Sequence, residues 1–104
     1  MKILITTQYQ ENYGTESDPY WKMKGGSDYF ITGVDPLRVA PGLLVDQVRD
    51  RIEYSGDMSQ EYIVDWRLVP DDYVTDFERD QMQYDGRVTH PTPILTPILT
   101  PETA

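Results

Sequence analysis

The spacing of apolar residues changes along the chain, and these changes divide it into elements. Residues 2–9 include the consecutive residues Ile3, Leu4 and Ile5, so apolar side chains fall on both faces of an extended segment. This pattern, with its β-branched residues, predicts an interior strand. The polar residues 10–19 that follow, which include asparagine, glycine, serine and proline, predict a loop.

Two aromatic-rich runs, residues 20–24 and 28–32, lie on either side of Gly25-Gly26-Ser27. Glycine tolerates the positive φ angles that tight turns need. Two short strands around a glycine pair are typical of a β-hairpin. We therefore predict a hairpin in which the two runs pair with each other.

The period changes to that of a helix over residues 43–53. Leu44, Val48 and Ile52 are spaced by four, with polar and charged residues between them. This spacing predicts an amphipathic helix with one buried stripe, and Ser55-Gly56 provides a stop.

Residues 61–69 alternate again. The alternation predicts a half-buried antiparallel strand with one set of apolar side chains on one face, namely Tyr62, Val64, Trp66 and Leu68.

A second helix is predicted after Pro70. Asp71 or Asp72 is expected to cap it, and Asp85-Gly86 to end it shortly after Tyr84. Its expected buried stripe consists of Tyr73, Val74, Phe77, Gln81 and Tyr84.

The C-terminal residues have a different composition, rich in threonine and proline. Residues 88–104 repeat Thr-Pro-Ile-Leu from Thr92 and again from Thr96, and proline restricts both itself and its predecessor to extended conformations. We predict one domain over residues 1–87 and an extended tail over 88–104. The expected class is α+β: an antiparallel sheet of about four strands, two helices on one face, in the order β-β-β-α-β-α.

The composition excludes several kinds of active site and metal site. The 104 residues include no cysteine and one histidine, His90, which excludes disulfides, thiolate catalysis and cysteine-based zinc sites. No Ser-His or Cys-His arrangement stands out, so we expect no enzyme activity, no cofactor and no metal. The apolar run at the N-terminus is too short for a signal peptide, and no stretch approaches a membrane span. We therefore expect a cytoplasmic protein.

Charge suggests the kind of partner. The formal net charge of −9 disfavours direct binding to nucleic acid, which requires cationic side chains. It favours a protein partner with a basic surface, although acidity also serves solubility alone. Residues 57–85 hold nine carboxylates and two arginines, a net charge of −7. The candidate partner-binding residues are Asp71, Asp72, Asp76, Glu78 and Asp80, of which Asp72, Asp76 and Asp80 are spaced by four.

A second candidate site is a small-ligand site in the first third of the chain. Aromatic rings stack on bases, and backbone amides at a glycine turn can approach phosphates. The alternative is an ordinary hairpin beside a polar loop. The candidate ligand-binding residues are Gln8, Tyr9, Tyr20, Trp21, Lys22, Lys24, Gly25 and Gly26.

The segments Thr6-Thr7-Gln8-Tyr9-Gln10-Glu11-Asn12-Tyr13-Gly14 and Tyr20-Trp21-Lys22-Met23-Lys24-Gly25-Gly26 resemble the start of small uncharacterised proteins from tailed bacteriophages. The resemblance is clearest over about the first 35 residues. It implies a context only: an accessory factor that acts on the host, for example against a defence system. No functional residue is transferred by it.

Three hypotheses follow from these observations. The leading one is a non-enzymatic phage accessory protein that binds a basic host protein, as a counter-defence inhibitor that mimics nucleic acid. The alternatives are a protein that sequesters a nucleotide signal, and a virion structural or assembly component that docks through its Thr-Pro-Ile-Leu tail. Homo-oligomerisation is open in all three.

Overall fold

The computed structural model describes residues 1–97. Its centre is an antiparallel sheet in the order β2-β1-β5-β4, with β3 also paired to β1. The predicted α+β class with an antiparallel sheet and two helices is confirmed, and the sheet has five strands instead of about four. The elements are β1 (Lys2–Asn12), β2 (Trp21–Gly25), β3 (Asp28–Ile31), α1 (Pro41–Val48), a 3-10 turn (Arg49–Arg51), β4 (Tyr54–Ser55), β5 (Ser59–Val69) and α2 (Asp76–Asp85).

β1 is the interior strand, as its two apolar faces predict. It pairs with β5 along nearly its whole length, from Lys2 opposite Val69 to Glu11 opposite Ser59. On its other side it pairs with both β2 and β3.

The predicted hairpin at Gly25-Gly26-Ser27 is wrong. β2 and β3 do not pair with each other; both continue along the same edge of β1. Between them lies an irregular segment, residues 24–27, which is called the bulge here. Lys24 is an extra residue opposite the step from Tyr9 to Gln10. Thr7 lies against this segment: its backbone N donates to Ser27 O at 2.9 Å and its Oγ1 accepts from Ser27 N at 3.0 Å. Gly26 is required there because a Cβ would lie 1.8 Å from Thr7 O. The glycine pair thus bends one edge strand instead of reversing it.

The main core lies between one face of the sheet and α1. Ile3, Ile5 and Ile31 from the sheet pack with Val45 and Val48 of the helix, and all five are nearly inaccessible to solvent. The predicted stripe of Leu44, Val48 and Ile52 is buried. The α-helix is shorter than predicted, since it ends at Val48 and continues as the 3-10 turn.

A smaller apolar cluster lies on the opposite face. Leu4, Phe30 and Val69 form it with the half-buried Tyr73, whose ring meets Phe30 edge-on with 6.5 Å between centroids. The rest of this face, called the uncovered face here, is polar and partly or fully exposed, as at Thr6, Gln8 and Asp65.

The predicted alternation of β5 is interrupted. Thr6 is opposite Asp65 but Thr7 is opposite Ile63, so Val64 is an extra residue in the ladder. Ile63 therefore joins the core face together with Leu68. Tyr62 falls on the other face, where its hydroxyl donates to Gln8 Oε1 at 3.0 Å. A bulge shifts the register by one residue, and period-two reasoning does not foresee it.

α2 begins later than predicted. Thr75 caps it instead of Asp71 or Asp72: its Oγ1 accepts from Glu78 N at 3.2 Å, while Glu78 Oε1 accepts from Thr75 N at 3.0 Å. The predicted end is confirmed, because Gly86 follows the helix with a φ of 74°.

The predicted buried stripe of α2 is largely wrong. Gln81 is buried, but Val74, Phe77 and Tyr84 are exposed. Gln81 packs against the chain that follows the helix, where its Oε1 accepts from Thr89 N at 2.9 Å and from His90 N at 2.6 Å. The helix is thus held by polar contacts with residues 89–92 rather than by an apolar stripe.

The first part of the predicted tail is extended and lies along the sheet. Ile94 forms a parallel bridge with Phe30, in which Phe30 N donates to Pro93 O at 2.9 Å and Leu95 N donates to Phe30 O at 2.8 Å. Residues 98–104, the rest of the predicted tail, lie outside the described residues.

Candidate functional site

An acidic surface surrounds α2. Five of its carboxylates are exposed and form what is called here the acidic face: Asp71, Asp72, Asp76, Asp80 and Asp85. The first two lie in the turn after β5, and the others lie on the helix.

Two of these carboxylates have a cationic neighbour. Asp71 lies 3.1 Å from the Met1 ammonium group, and Asp76 lies 3.1 Å from Arg79. Within residues 1–97, Asp72 and Asp80 form no ion pair. The acidic face therefore keeps a net negative charge.

The predicted spacing of the aspartates holds only in part. Asp72 precedes the helix, because α2 begins at Asp76. Asp76 and Asp80 are one helical turn apart and share a face, as predicted.

Glu78, a predicted partner-binding residue, is engaged inside the protein. Burial acts to raise its pKa, but hydrogen bonds from Thr75 and Thr92 outweigh that effect and lower the pKa below its ordinary value. Both of its oxygens are used, since Oε2 also accepts from Thr92 N at 3.4 Å. Glu78 fixes the start of α2 and is not part of the acidic face.

The other carboxylates of residues 57–85 lie elsewhere. Glu61 and Asp65 point to opposite faces of β5, because Glu61 is opposite Tyr9 and Asp65 is opposite Thr6. Glu61 also accepts from Thr7 Oγ1 at 2.7 Å. The net charge of −7 in this segment is therefore not gathered in one patch.

Apolar side chains stand among the carboxylates of the acidic face. Phe77 is 60% exposed and Tyr84 is 80% exposed. Sequence reasoning missed these two as contact residues, because their helical spacing with Gln81 suggested a core stripe. The signal available in the sequence was that α2 has only one other large apolar residue, Met82.

The predicted ligand-binding lysines surround a carboxylate. Lys22 is opposite Glu11 on β1, and Lys24 Nζ lies 5.2 Å from the centroid of the Tyr13 ring. Glu11 accepts from Tyr9 Oη at 3.1 Å and from Tyr13 Oη at 3.0 Å. The pKa of Lys24 is raised, first by its hydrogen bond and charge interaction with Tyr13, with a smaller contribution from Glu11. A carboxylate at this point disfavours a phosphate ligand.

The other predicted ligand-binding residues do not lie together. Gln8 and Tyr9 are consecutive on β1 and face opposite sides of the sheet. Gln8 belongs to a polar ladder on the uncovered face with Tyr62, Gln10 and Gln60.

The remaining members of that set lie along the β2 side of the sheet. Trp21 is opposite Asn12, the Tyr20 ring is exposed, and Gly25 and Gly26 form the bulge. The structure does not bring the eight predicted residues into one site.

A cleft of about 370 Å³ lies next to the bulge. Three segments distant in sequence form it: residues 26–29, the start of α2 and residues 90–93. Asp28, Tyr29, Phe77 and His90 are among the residues that line it. Of the predicted ligand residues, Gly26 alone lines it. No pattern in the sequence predicts the cleft, because the return of the chain after α2 creates it.

The pKa of Tyr29 is raised, mainly by burial and then by the charge of Glu61. Among residues 1–97, no three His, Cys, Asp or Glu side chains are grouped so as to hold a metal ion. Neither helix in this part of the chain has the length and hydrophobicity needed to cross a membrane.

Comparison of the chain with protein-family models, with curated proteins and with solved structures finds no match.

Proposed function

We propose that this protein is a non-enzymatic binding protein whose acidic face takes a protein partner with a basic surface. The observation that carries the proposal is the mixture of side chains around α2. Asp72 and Asp80 are exposed and in no ion pair within residues 1–97. The exposed rings of Phe77 and Tyr84 lie three and four residues from Asp80 along α2 and are its neighbours on the helix surface.

Each part of this mixture has a role in binding. The carboxylates attract a cationic partner and set its orientation, and the net charge of −9 extends that attraction. Aromatic side chains supply contact energy, because they bury a large area at a small cost in conformational entropy. Charge alone gives fast association, and the rings make the complex persist.

The concrete form of the proposal is inhibition of a host enzyme that acts on nucleic acid. Such an enzyme has a basic groove for phosphates. The carboxylates of the acidic face occupy that groove in place of phosphates, in the cytoplasm of a bacterial host. The resemblance of the opening residues to phage proteins supports this setting.

The test compares two variants that lose the same charge. The acidic-face variant combines Asp72→Asn, Asp76→Asn and Asp80→Asn. The control variant combines Glu16→Gln, Asp50→Asn and Asp57→Asn, which are exposed and lie away from α2. Each immobilised protein captures partners from host lysate at about 50 mM and about 300 mM NaCl, on either side of physiological ionic strength. A captured basic protein is then purified and titrated against all three forms.

We expect the wild type and the control to bind the same basic protein at low salt. The acidic-face variant should lose binding by at least about tenfold, and salt should weaken the wild-type complex steeply. Addition of the partner's own nucleic acid should compete. Equal binding by the acidic-face variant, or binding that salt leaves unchanged, would contradict the proposal.

The cleft favours a second candidate function, the binding of a small aromatic ligand. Its volume of about 370 Å³ is within the range of about 300–1,000 Å³ typical of ligand sites, and Tyr29, Phe77 and His90 line it. Calorimetry with a panel of nucleotides tests this function. We expect heat from at least one nucleotide, lost in Phe77→Ala; no heat with any of them removes nucleotides as the ligand.

A further inference from the structure

The outer edge of β5 is open along half of its length. β4 covers only Gln60 and Glu61, and the Glu53 carboxylate accepts from Ile63 N at 2.8 Å. From Val64 to Leu68, the backbone has no hydrogen-bonded partner other than β1 within residues 1–97. An uncovered strand edge is a template for another strand.

The side chains along this edge are exposed on both faces of the sheet. Val64, Asp65, Trp66 and Arg67 are all solvent-accessible, although β-branched and aromatic residues such as Val64 and Trp66 favour packed positions. Asp65 has no ion-pair partner among the described residues. Edge strands of monomeric proteins usually carry charges or bulges that oppose pairing. This segment has the extra residue Val64 and two charges, Asp65 and Arg67, but the charges are of opposite sign and can attract a second copy.

The order of charges on the edge is self-complementary. If two copies pair antiparallel about a two-fold axis at Trp66, residues equally distant from Trp66 lie opposite each other. Asp65 of each copy is then opposite Arg67 of the other, and Val64 is opposite Leu68. Opposite charges across neighbouring strands stabilise their pairing.

Other two-fold registers are less favourable. An axis at Asp65 places two aspartates opposite each other, and an axis at Arg67 places two arginines opposite each other. Like charges directly across a sheet are destabilising. Of these three registers, the charges favour the one centred on Trp66.

Apolar side chains border the same edge. Trp66 is 38% exposed and lies against the start of α1, where a Cβ on Gly42 would be 3.4 Å from its ring. The next residue, Leu43, is 58% exposed. In the pair of chains, Trp66 and Leu43 would be shielded from water on the helix side, which adds hydrophobic stabilisation.

We propose that the occupant of this edge is a second copy of the same chain, so that the two sheets join through β5 in a symmetric dimer. The proposal is independent of the acidic face, which begins beyond the end of β5. Charge repulsion between two copies of net charge −9 is largely screened at about 0.15 M salt, where the Debye length is about 8 Å.

Charge reversal at the edge tests the proposal. In the register centred on Trp66, Asp65→Arg places arginines of the two copies opposite each other, and Arg67→Asp does the same with aspartates. Each variant alone should be monomeric, with a dissociation constant raised at least about tenfold. An equimolar mixture restores opposite charges at both contacts, so the two variants should form a heterodimer.

The measurement is sedimentation equilibrium over a range of concentrations, relative to a chain mass of 12.1 kDa. We expect the wild type to approach twice that mass, each variant to remain near the single mass, and the mixture to rise again. The matched controls are Glu16→Arg and Arg87→Asp, which make the same charge changes at exposed positions away from this edge and should dimerise like the wild type.

Several outcomes would overturn the proposal: a wild type that stays monomeric, single variants that dimerise unchanged, or a mixture that stays monomeric while both variants show native near-ultraviolet circular dichroism. A shortened chain that ends at residue 97 tests the other possible occupant of the β5 edge, which is the segment 98–104. If it dimerises where the full chain does not, residues 98–104 cover the edge and the second copy does not.

Discussion

Gly26 shows how one residue determines the course of an edge strand. The backbone of Thr7 lies so close that a side chain at position 26 would overlap Thr7 O, at 1.8 Å from an ideal Cβ. The neighbouring Gly25 has a φ of 122°, which side chains rarely tolerate. Together the two glycines let β2 and β3 follow β1 as one bent strand.

Gly26→Ala should therefore be strongly destabilising. The bulge has to open to admit the methyl group, and we expect a loss of at least about 2 kcal/mol in the free energy of unfolding. Urea denaturation at a fixed protein concentration measures it. The control is Gly42→Ala, whose methyl group would meet only the Trp66 ring at 3.4 Å. If Gly26→Ala lowers the free energy of unfolding as little as the control does, the close approach of residue 26 to Thr7 is contradicted.

The sequence predicted a special backbone at Gly25-Gly26 but not its kind. Tight hairpin turns and bulges both use glycine, and both are flanked by strand-forming residues. The deciding contact is with Thr7, 20 residues before Ser27 in sequence. Local pattern therefore located the irregularity and misjudged what it does.

The capping box of α2 is an element-scale feature with a pH dependence. Hydrogen bonds from Thr75 and Thr92 lower the pKa of Glu78 in the folded protein, despite the opposing effect of burial. A carboxyl group with a lowered pKa stabilises the fold above its unfolded pKa, about 4.3 for glutamate. That stabilisation is lost as the pH falls through the lower folded value.

Glu78→Gln should remove this contribution. We expect a loss of about 1 kcal/mol at about pH 7, and the difference from the wild type should shrink as the pH is lowered below about 4. Urea denaturation from neutral pH to about pH 3 measures it. Asp80→Asn is the control, because Asp80 is exposed and forms no ion pair within residues 1–97. A difference that stays constant with pH would show that the charge of Glu78 contributes nothing.

Elements whose apolar residues recur with a clear periodicity were predictable. Elements that contain a bulge or pack against an irregular segment were not. The α1 stripe of Leu44, Val48 and Ile52 is buried because it meets the flat face of the sheet. β5 was recognised as a strand, but the extra residue Val64 reversed the faces of its first half. In α2, Gln81 is buried against the polar segment around Thr89, and no periodicity in the sequence predicts that contact.

At the scale of the whole molecule, composition predicted the excess of negative charge but not its placement. The chain has 18 carboxylates and nine lysines and arginines, and the acidic stretch 57–85 is divided among the two faces of β5 and α2. The five residues of the acidic face became a candidate site only when the chain path was known. The cleft could not be foreseen for the same reason.

This excess of charge should make stability depend on salt. Folding brings like charges closer together, and screening reduces their repulsion. We expect the free energy of unfolding in urea to increase between about 10 mM and about 150 mM NaCl at constant protein concentration, as the Debye length falls. The acidic-face variant, with three fewer charges, should respond less. A wild type that salt destabilises over this range would contradict a dominant repulsion.

The central position of β1 has a consequence for the newly made chain. On one side Ile3 and Ile5 meet Ile31 and Tyr29 of β3, but their partners on the other side, Leu68 and Trp66 of β5, leave the ribosome much later. Such distant pairing is intrinsically slow, because the intervening loop must close first. The run Ile3-Leu4-Ile5 thus stays open on its β5 side until residues 59–69 are made, and we expect chaperones to bind it during translation.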